Sequence, residues 1–115
     1  MSEIYRLSVV EGPGGAAVAR IEGEIDLASA PTIGADLAAQ IGRGVQAIDL
    51  TDVEFIDSAG VRMLVELARA AQEDRPLIAI VAPVGSTARR MLELTGIEPL
   101  FTVLDSAAAL PTRAT

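Results

Sequence analysis

The stretch Asp57-Ser58-Ala59-Gly60 is the part of this chain best equipped for chemistry, and acids precede it in two groups. One group is Glu22, Glu24 and Asp26; the other is Asp49, Asp52 and Glu54. A serine hydroxyl in that setting can cap a helix, touch another molecule or accept a phosphate. The carboxylates could bind Mg²⁺, which takes oxygen ligands, or act as a hydrolytic pair. No spacing among them is diagnostic of a metal. A carboxylate hydrolase usually adds aromatic sugar platforms, and Tyr5, Phe55 and Phe101 are the only aromatics here. No metal, no cofactor and no catalytic residue is therefore expected.

The absences narrow the field further. The chain has no Cys and no His, and all nine cations are Arg. Disulfides, thiolate zinc sites and cysteine nucleophiles are excluded, as is the commonest general base. Without Lys there is no Schiff base, no P-loop lysine and no receiver-domain lysine. Sixteen acids against nine Arg give a net charge of −7. That charge suits neither phosphate backbones nor an anionic membrane surface.

The elements that position these residues follow from pattern. At 115 residues, 50% apolar and 22% charged, the chain fits one folded domain. Ile4 to Val10 alternates as a half-buried strand, with Tyr5, Leu7 and Val9 on one side. Gly12-Pro13-Gly14-Gly15 turns it back into a second strand from Ala16 to Ile21. The turn opens no helix, so it is not read as a phosphate cradle. Gly23 marks a bend or bulge. Pro31 starts a helix carrying Ile33, Leu37 and Ile41 on one face, ended by Gly42 and Gly44. Gln46 to Leu50 is a strand, and Thr51 to Asp57 is expected to be a polar loop with Val53, Phe55 and Ile56 tucked between its acids.

A second helix begins near Ser58, with Val61, Leu64, Val65 and Ala68 as its apolar stripe. Leu77 to Ala82 is apolar throughout, as in a strand buried on both faces. Ser86 to Thr95 is a third helix with Met91, Leu92 and Thr95 inward, closed by Gly96 and Ile97. Leu100 to Leu104 is a last strand, and Ser106 to Leu110 a short terminal turn. The fold class is α/β: order β-β-α-β-α-β-α-β(-α), a mainly parallel sheet with an antiparallel edge hairpin. One domain over 1–111 and a frayed tail over 112–115 are expected. The longest apolar run is far below the ~20 residues of a membrane span, and no targeting segment opens the chain, so a cytoplasmic protein is expected.

In open α/β sheets the working surface is the crevice beyond the strand C-termini. Ser58 falls there, at or beside the helix N-cap, where free amides and the positive dipole end lie. Ala59 and Gly60 are small enough for another molecule to come close. A phosphate on Ser58 would meet those amides, add roughly −1.5 to −2 charges, and be repelled by Asp26 and Asp57. On the residues alone, the plain reading of Ser58 as a cap stays open. Arg62, Met63, Glu66 and Leu67 lie on the outer helix side; Met63 and Leu67 read either as a partner patch or as packing under the first helix.

These residues, in this order, resemble the STAS domain family over essentially the whole chain. The resemblance is strongest in Asp49-Leu50-Thr51-Asp52-Val53-Glu54-Phe55-Ile56-Asp57-Ser58-Ala59-Gly60-Val61. Gly23-Glu24-Ile25-Asp26 and the segment from Arg89 to Ile97 are also similar. Single-domain members of this kind are anti-sigma factor antagonists. The resemblance implies no catalysis by this chain, and a partner that is an anti-sigma factor with serine kinase activity. Asp26 and Asp57 match acidic positions beside the acceptor serine in that family, and a partner that covers Ser58 and the first turns of its helix is expected to bind through Asp26, Asp57, Ser58, Ala59, Gly60, Arg62 and Met63. Phosphorylation at Ser58 would end that binding and a PP2C-type phosphatase would reset it. The family often has Ser or Thr where this chain has Ala59, so Ser58 is the only hydroxyl in the motif. An alternative keeps the fold without phosphorylation, as an adaptor subunit of a stressosome or lipid-transport assembly.

Overall fold

The computed structural model describes residues 4–74 and 79–110. β1 (Tyr5–Glu11) and β2 (Ala17–Ile25) form an antiparallel hairpin. α1 (Ala30–Gly42), β3 (Ala47–Ile56), α2 (Ser58–Asp74), β4 (Ala79–Val81), α3 (Thr87–Thr95) and β5 (Thr102–Leu104) follow. The strands stand in sequence order, and β2 to β5 are parallel. Right-handed crossovers between sequential neighbours put all three helices on one face.

Side-chain alternation then sorts the core. Ile21 and Ile25 of β2, Ile48 and Leu50 of β3, and Ile80 of β4 meet Ile33, Leu37, Leu64 and Leu92 of the helices. On the opposite face Val18, Ala47 and Ala79 gather beneath Leu110. Ile33, Leu37 and Ile41 are buried as their spacing predicts, while Val9 is 45% exposed because the hairpin runs past the helices. Gly42 is the last residue of α1, and Gly44, at φ 109°, makes the turn into β3.

The stretch 51–57 is not a loop: β3 runs unbroken to Ile56. β2 also continues, through Gly23 to Ile25, and supplies a parallel ladder for it. The expectation failed because the ladder shifts register between Arg20 and Glu22 and again between Gly23 and Glu24. Those shifts break the period-two pattern that marks a strand. Val53 and Ile56 face the core at 3% exposure each, but Phe55 is 47% exposed rather than tucked in.

Two other expectations are corrected. Thr95 is exposed, and its hydroxyl donates back to the Met91 carbonyl (2.7 Å). Leu100 belongs to a 3-10 turn over Glu98–Leu100, so β5 starts later. The close of α3 matches its pattern: Gly96 is left-handed, and the Ile97 N–H reaches the Leu92 carbonyl. The residues expected after Pro111 as a tail, and Leu77 and Ile78 of the apolar run, lie outside the described residues.

Arg89 ties the far half together. Its guanidinium donates to the Ala82 carbonyl (2.9 Å) and to Asp105 Oδ1 (3.1 Å), with Glu98 Oε2 3.4 Å away.

Gly23 sits at φ 100°, and a Cβ there would lie 2.2 Å from the Ile4 carbonyl oxygen. Gly23→Ala therefore carries both left-handed strain and a backbone clash. It is expected to lower stability by about 2–4 kcal/mol, read as a lower urea midpoint.

Candidate functional site

The parallel strands β2 and β3 both end, at Ile25 and Ile56, directly before the acidic turns that carry the site. Asp57 is the centre of the arrangement. The backbone N–H groups of Ala59 and Gly60 donate to its Oδ1 at 2.9 and 3.2 Å. The N–H of Leu27, from the β2–α1 turn, donates to its Oδ2 at 3.2 Å. Asp57 is thus the N-cap of α2, and Ser58, expected at or beside the cap, is the residue beside it, the first of the helix.

That position decides the state of Ser58. The residue is exposed, and its hydroxyl has no hydrogen-bond partner among the described residues. The amides expected to greet a phosphate are already taken: Ala59 and Gly60 give theirs to Asp57. A dianion on Ser58 would sit beside a carboxylate without those donors. A charge of that size would have solvent and Arg62, one helical turn on and lining the same groove, to answer it.

Asp26 does the same service for the neighbouring turn. Its Oδ1 accepts from the Ser29 N–H (2.9 Å) and the Ser29 hydroxyl (3.1 Å). The Ser29 oxygen in turn accepts from the Asp26 N–H (3.0 Å). Ser29 is 7% exposed, and this reciprocal bonding satisfies its hydroxyl before α1 begins.

Gly60 owes its size to the interior, not to an incoming molecule. A Cβ there would stand 2.7 Å from Ile56 Cγ1 and 2.8 Å from Ile25 Cγ2. Met63 and Leu67 resolve toward packing under α1, at 6% and 9% exposure. A Cβ on Gly34 would lie only 2.9 Å from Met63 Cγ, so the two helices touch there.

Above that contact runs a groove of about 540 Å³ between α1 and α2. Pro31, Ala35, Ser58, Ala59, Arg62 and Glu66 line it, with Gly34 and Met63 below and Leu27 at its mouth. Leu27 also borders a second hollow of about 660 Å³, shared with Glu24, Asp26, Phe55 and Asp57. Every predicted site residue except Gly60 therefore borders one hollow or the other. The pattern missed Leu27 and Phe55, 77% and 47% exposed. An apolar residue inside the polar turn Asp26–Ser29 was the available signal for Leu27; the register shift hid Phe55. Among the described residues, no three acidic side chains converge to hold a metal.

Farther back on β2, Arg20 pairs with Asp52 and lies 3.6 Å from Glu22. Its hydrogen bond to Asp52 raises its pKa further above an already basic value. The pair is exposed, so it orders side chains more than it stabilises the domain.

A STAS domain family model matches residues 8–109. BtrV of Bordetella bronchiseptica, which carries the name of an anti-sigma factor antagonist, is 27% identical over 97 residues, covering 83% of each chain. A crystal structure of an anti-sigma factor antagonist from Mycobacterium paratuberculosis superposes with a TM-score of 0.71 at 28% identity. The match covers 89% of this chain and 86% of that one. The anti-sigma factor antagonist SpoIIAA, in its unphosphorylated form, shares the fold: TM-score 0.59, 22% identity, 90% and 92% covered.

Two substitutions test the local account. Asp57→Ala strands three amides and is expected to cost about 1–2 kcal/mol, whereas Ser58→Ala leaves the denaturation midpoint in place. Gly60→Ala is expected to cost about 1–3 kcal/mol in the same assay.

Proposed function

The chain belongs to the STAS domain family, and on that footing we propose that it is an anti-sigma factor antagonist. Unphosphorylated, it binds an anti-sigma factor that is also a serine kinase, which frees the sigma factor. The kinase moves the γ-phosphoryl group of ATP to Ser58 Oγ, the hydroxyl proton leaves, and the complex separates. A PP2C-type phosphatase hydrolyses the ester and resets the chain. Nothing in this cycle asks the chain to catalyse.

The observation that carries the proposal is the uncapped, exposed Ser58 hydroxyl on the rim of the α1–α2 groove. A kinase can reach it, and a docked partner would cover it. The names of the relatives from Bordetella bronchiseptica and Mycobacterium paratuberculosis agree with this reading. So does the shape of the face: exposed Leu27 and Phe55 offer apolar contact, and Glu24, Asp26 and Asp57 suit a partner with cations. Arg62 and Glu66 flank the groove on the α2 side and are assigned to the rim of the contact.

The switch is electrostatic. Phosphorylation adds roughly −1.5 to −2 charges to a chain already at −7, and adds them beside Asp57. With Ala59 and Gly60 already bonded, burying that dianion under a partner leaves it with Arg62 as its one groove-lining cation, too little for a double charge. A penalty of ~3 kcal/mol weakens binding about a hundredfold. The fold itself has no reason to change, since the phosphate projects from the first turn of α2 into solvent.

The experiment pairs phosphorylation with capture. Incubation with the cognate anti-sigma factor and ATP should raise the intact mass by one phosphoryl group, and Ser58→Ala should abolish the gain. Ser58→Asp should weaken binding about tenfold or more, while Ser58→Ala binds as wild type. A mass gain that survives in Ser58→Ala, or equal binding by both variants, would count against the proposal.

A further inference from the structure

The two edges of the sheet are treated differently. β5 is three residues long, too short to template another strand. β1 has seven residues, Tyr5-Arg6-Leu7-Ser8-Val9-Val10-Glu11, with no Pro, no Lys and an unbroken register against β2. Pro, Lys and bulges usually blunt an edge; β1 has none of these, and its charges are Arg6 and Glu11. Its ends fix which backbone groups look outward. The Gly12 N–H donates to the Ala16 carbonyl and the Glu24 N–H to the Ile4 carbonyl, so the even-numbered residues face β2. The N–H and C=O groups of Leu7 and Val9 therefore point away from the sheet.

We propose that β1 is a self-association edge, on which a second copy of this chain adds its own β1 antiparallel and joins the two five-stranded sheets. Pairing about a two-fold axis at Ser8 sets Leu7 opposite Val9 of the second copy, twice. It uses the outward groups of both residues. The same register lays the Arg6 stem against Val10 of the second copy. Val9 and Val10, 45% and 42% exposed, lose water in the process. Charge on the strand itself does not oppose a like partner. β1 carries one Arg and one Glu and is neutral, whereas the whole chain stands at −7. The interface is small, below the size of standard stable complexes, so the dimer forms only at high concentration. It does not depend on the proposed function and leaves Ser58 outside the interface.

The absence of Cys makes the geometry directly readable. Sedimentation equilibrium on the full chain from about 10 μM to about 1 mM should show the mean mass climbing from monomer toward dimer. Val9→Lys should remain monomeric throughout. In Ser8→Cys the two thiols face each other across a non-hydrogen-bonded pair, with Cβ atoms about 5 Å apart. Mild oxidation should therefore crosslink Ser8→Cys about tenfold faster than Leu94→Cys, a control on exposed α3 surface. A constant monomer mass would overturn the proposal and leave the edge to foreign strands. So would a dimer unaffected by Val9→Lys, or equal crosslinking rates in the two cysteine variants.

Discussion

The Asp57 carboxylate is the knot on which the working end of this domain depends. Its two oxygens accept three backbone N–H groups from two different elements, two in the first turn of α2 and one in the β2–α1 turn. The helix start is satisfied, and the neighbouring turn is held against it. The same bonds leave Ser58 without a structural duty. A residue that caps a helix cannot be modified without loosening that helix; a residue next to the cap can. The division of labour between Asp57 and Ser58 would make the proposed covalent switch compatible with a stable fold.

Close packing supports this arrangement from below. α2 begins only one residue after β3 ends, so its first turn must descend onto the strand termini. Gly60 permits that approach to Ile25 and Ile56, and Gly34 permits α1 to settle on Met63. Gly34, Ala35 and Ala59 carry too little side chain to fill the space between the two helices, and the groove occupies it. The groove is thus a by-product of the core. Residues near it that looked like partner contacts are divided by depth: Arg62 and Glu66 stand exposed, whereas Met63 and Gly60 are buried.

Charge is distributed with the same economy. The Arg89 guanidinium gathers the Ala82 carbonyl, Asp105 and Glu98 where α3, β4 and β5 converge, and Arg20 answers Asp52 and Glu22 on β2 and β3. Glu24, Asp26 and Asp57 around the second hollow have no such cation among the described residues, and backbone amides satisfy Asp26 and Asp57 instead.

Residue types and spacing alone determined the element order, the parallel sheet with its antiparallel edge, the buried stripe Ile33-Leu37-Ile41 and the helix close at Gly96. Each rests on local periodicity or on a conformation only glycine adopts readily. The motif Asp57-Ser58-Ala59-Gly60 was legible from its residue types at a helix start and from its resemblance to the family. Tertiary structure decided what local pattern does not encode. Strand β3 extends to Ile56 because β2 lies alongside it, and the register shifts in that pairing erase the alternation that would have announced it. Which of Asp57 and Ser58 caps α2 depends on where the β2–α1 turn sits, since Leu27 completes the carboxylate's bonding. Gly60 was seen as small, but only the nearness of Ile25 and Ile56 shows which neighbour required it.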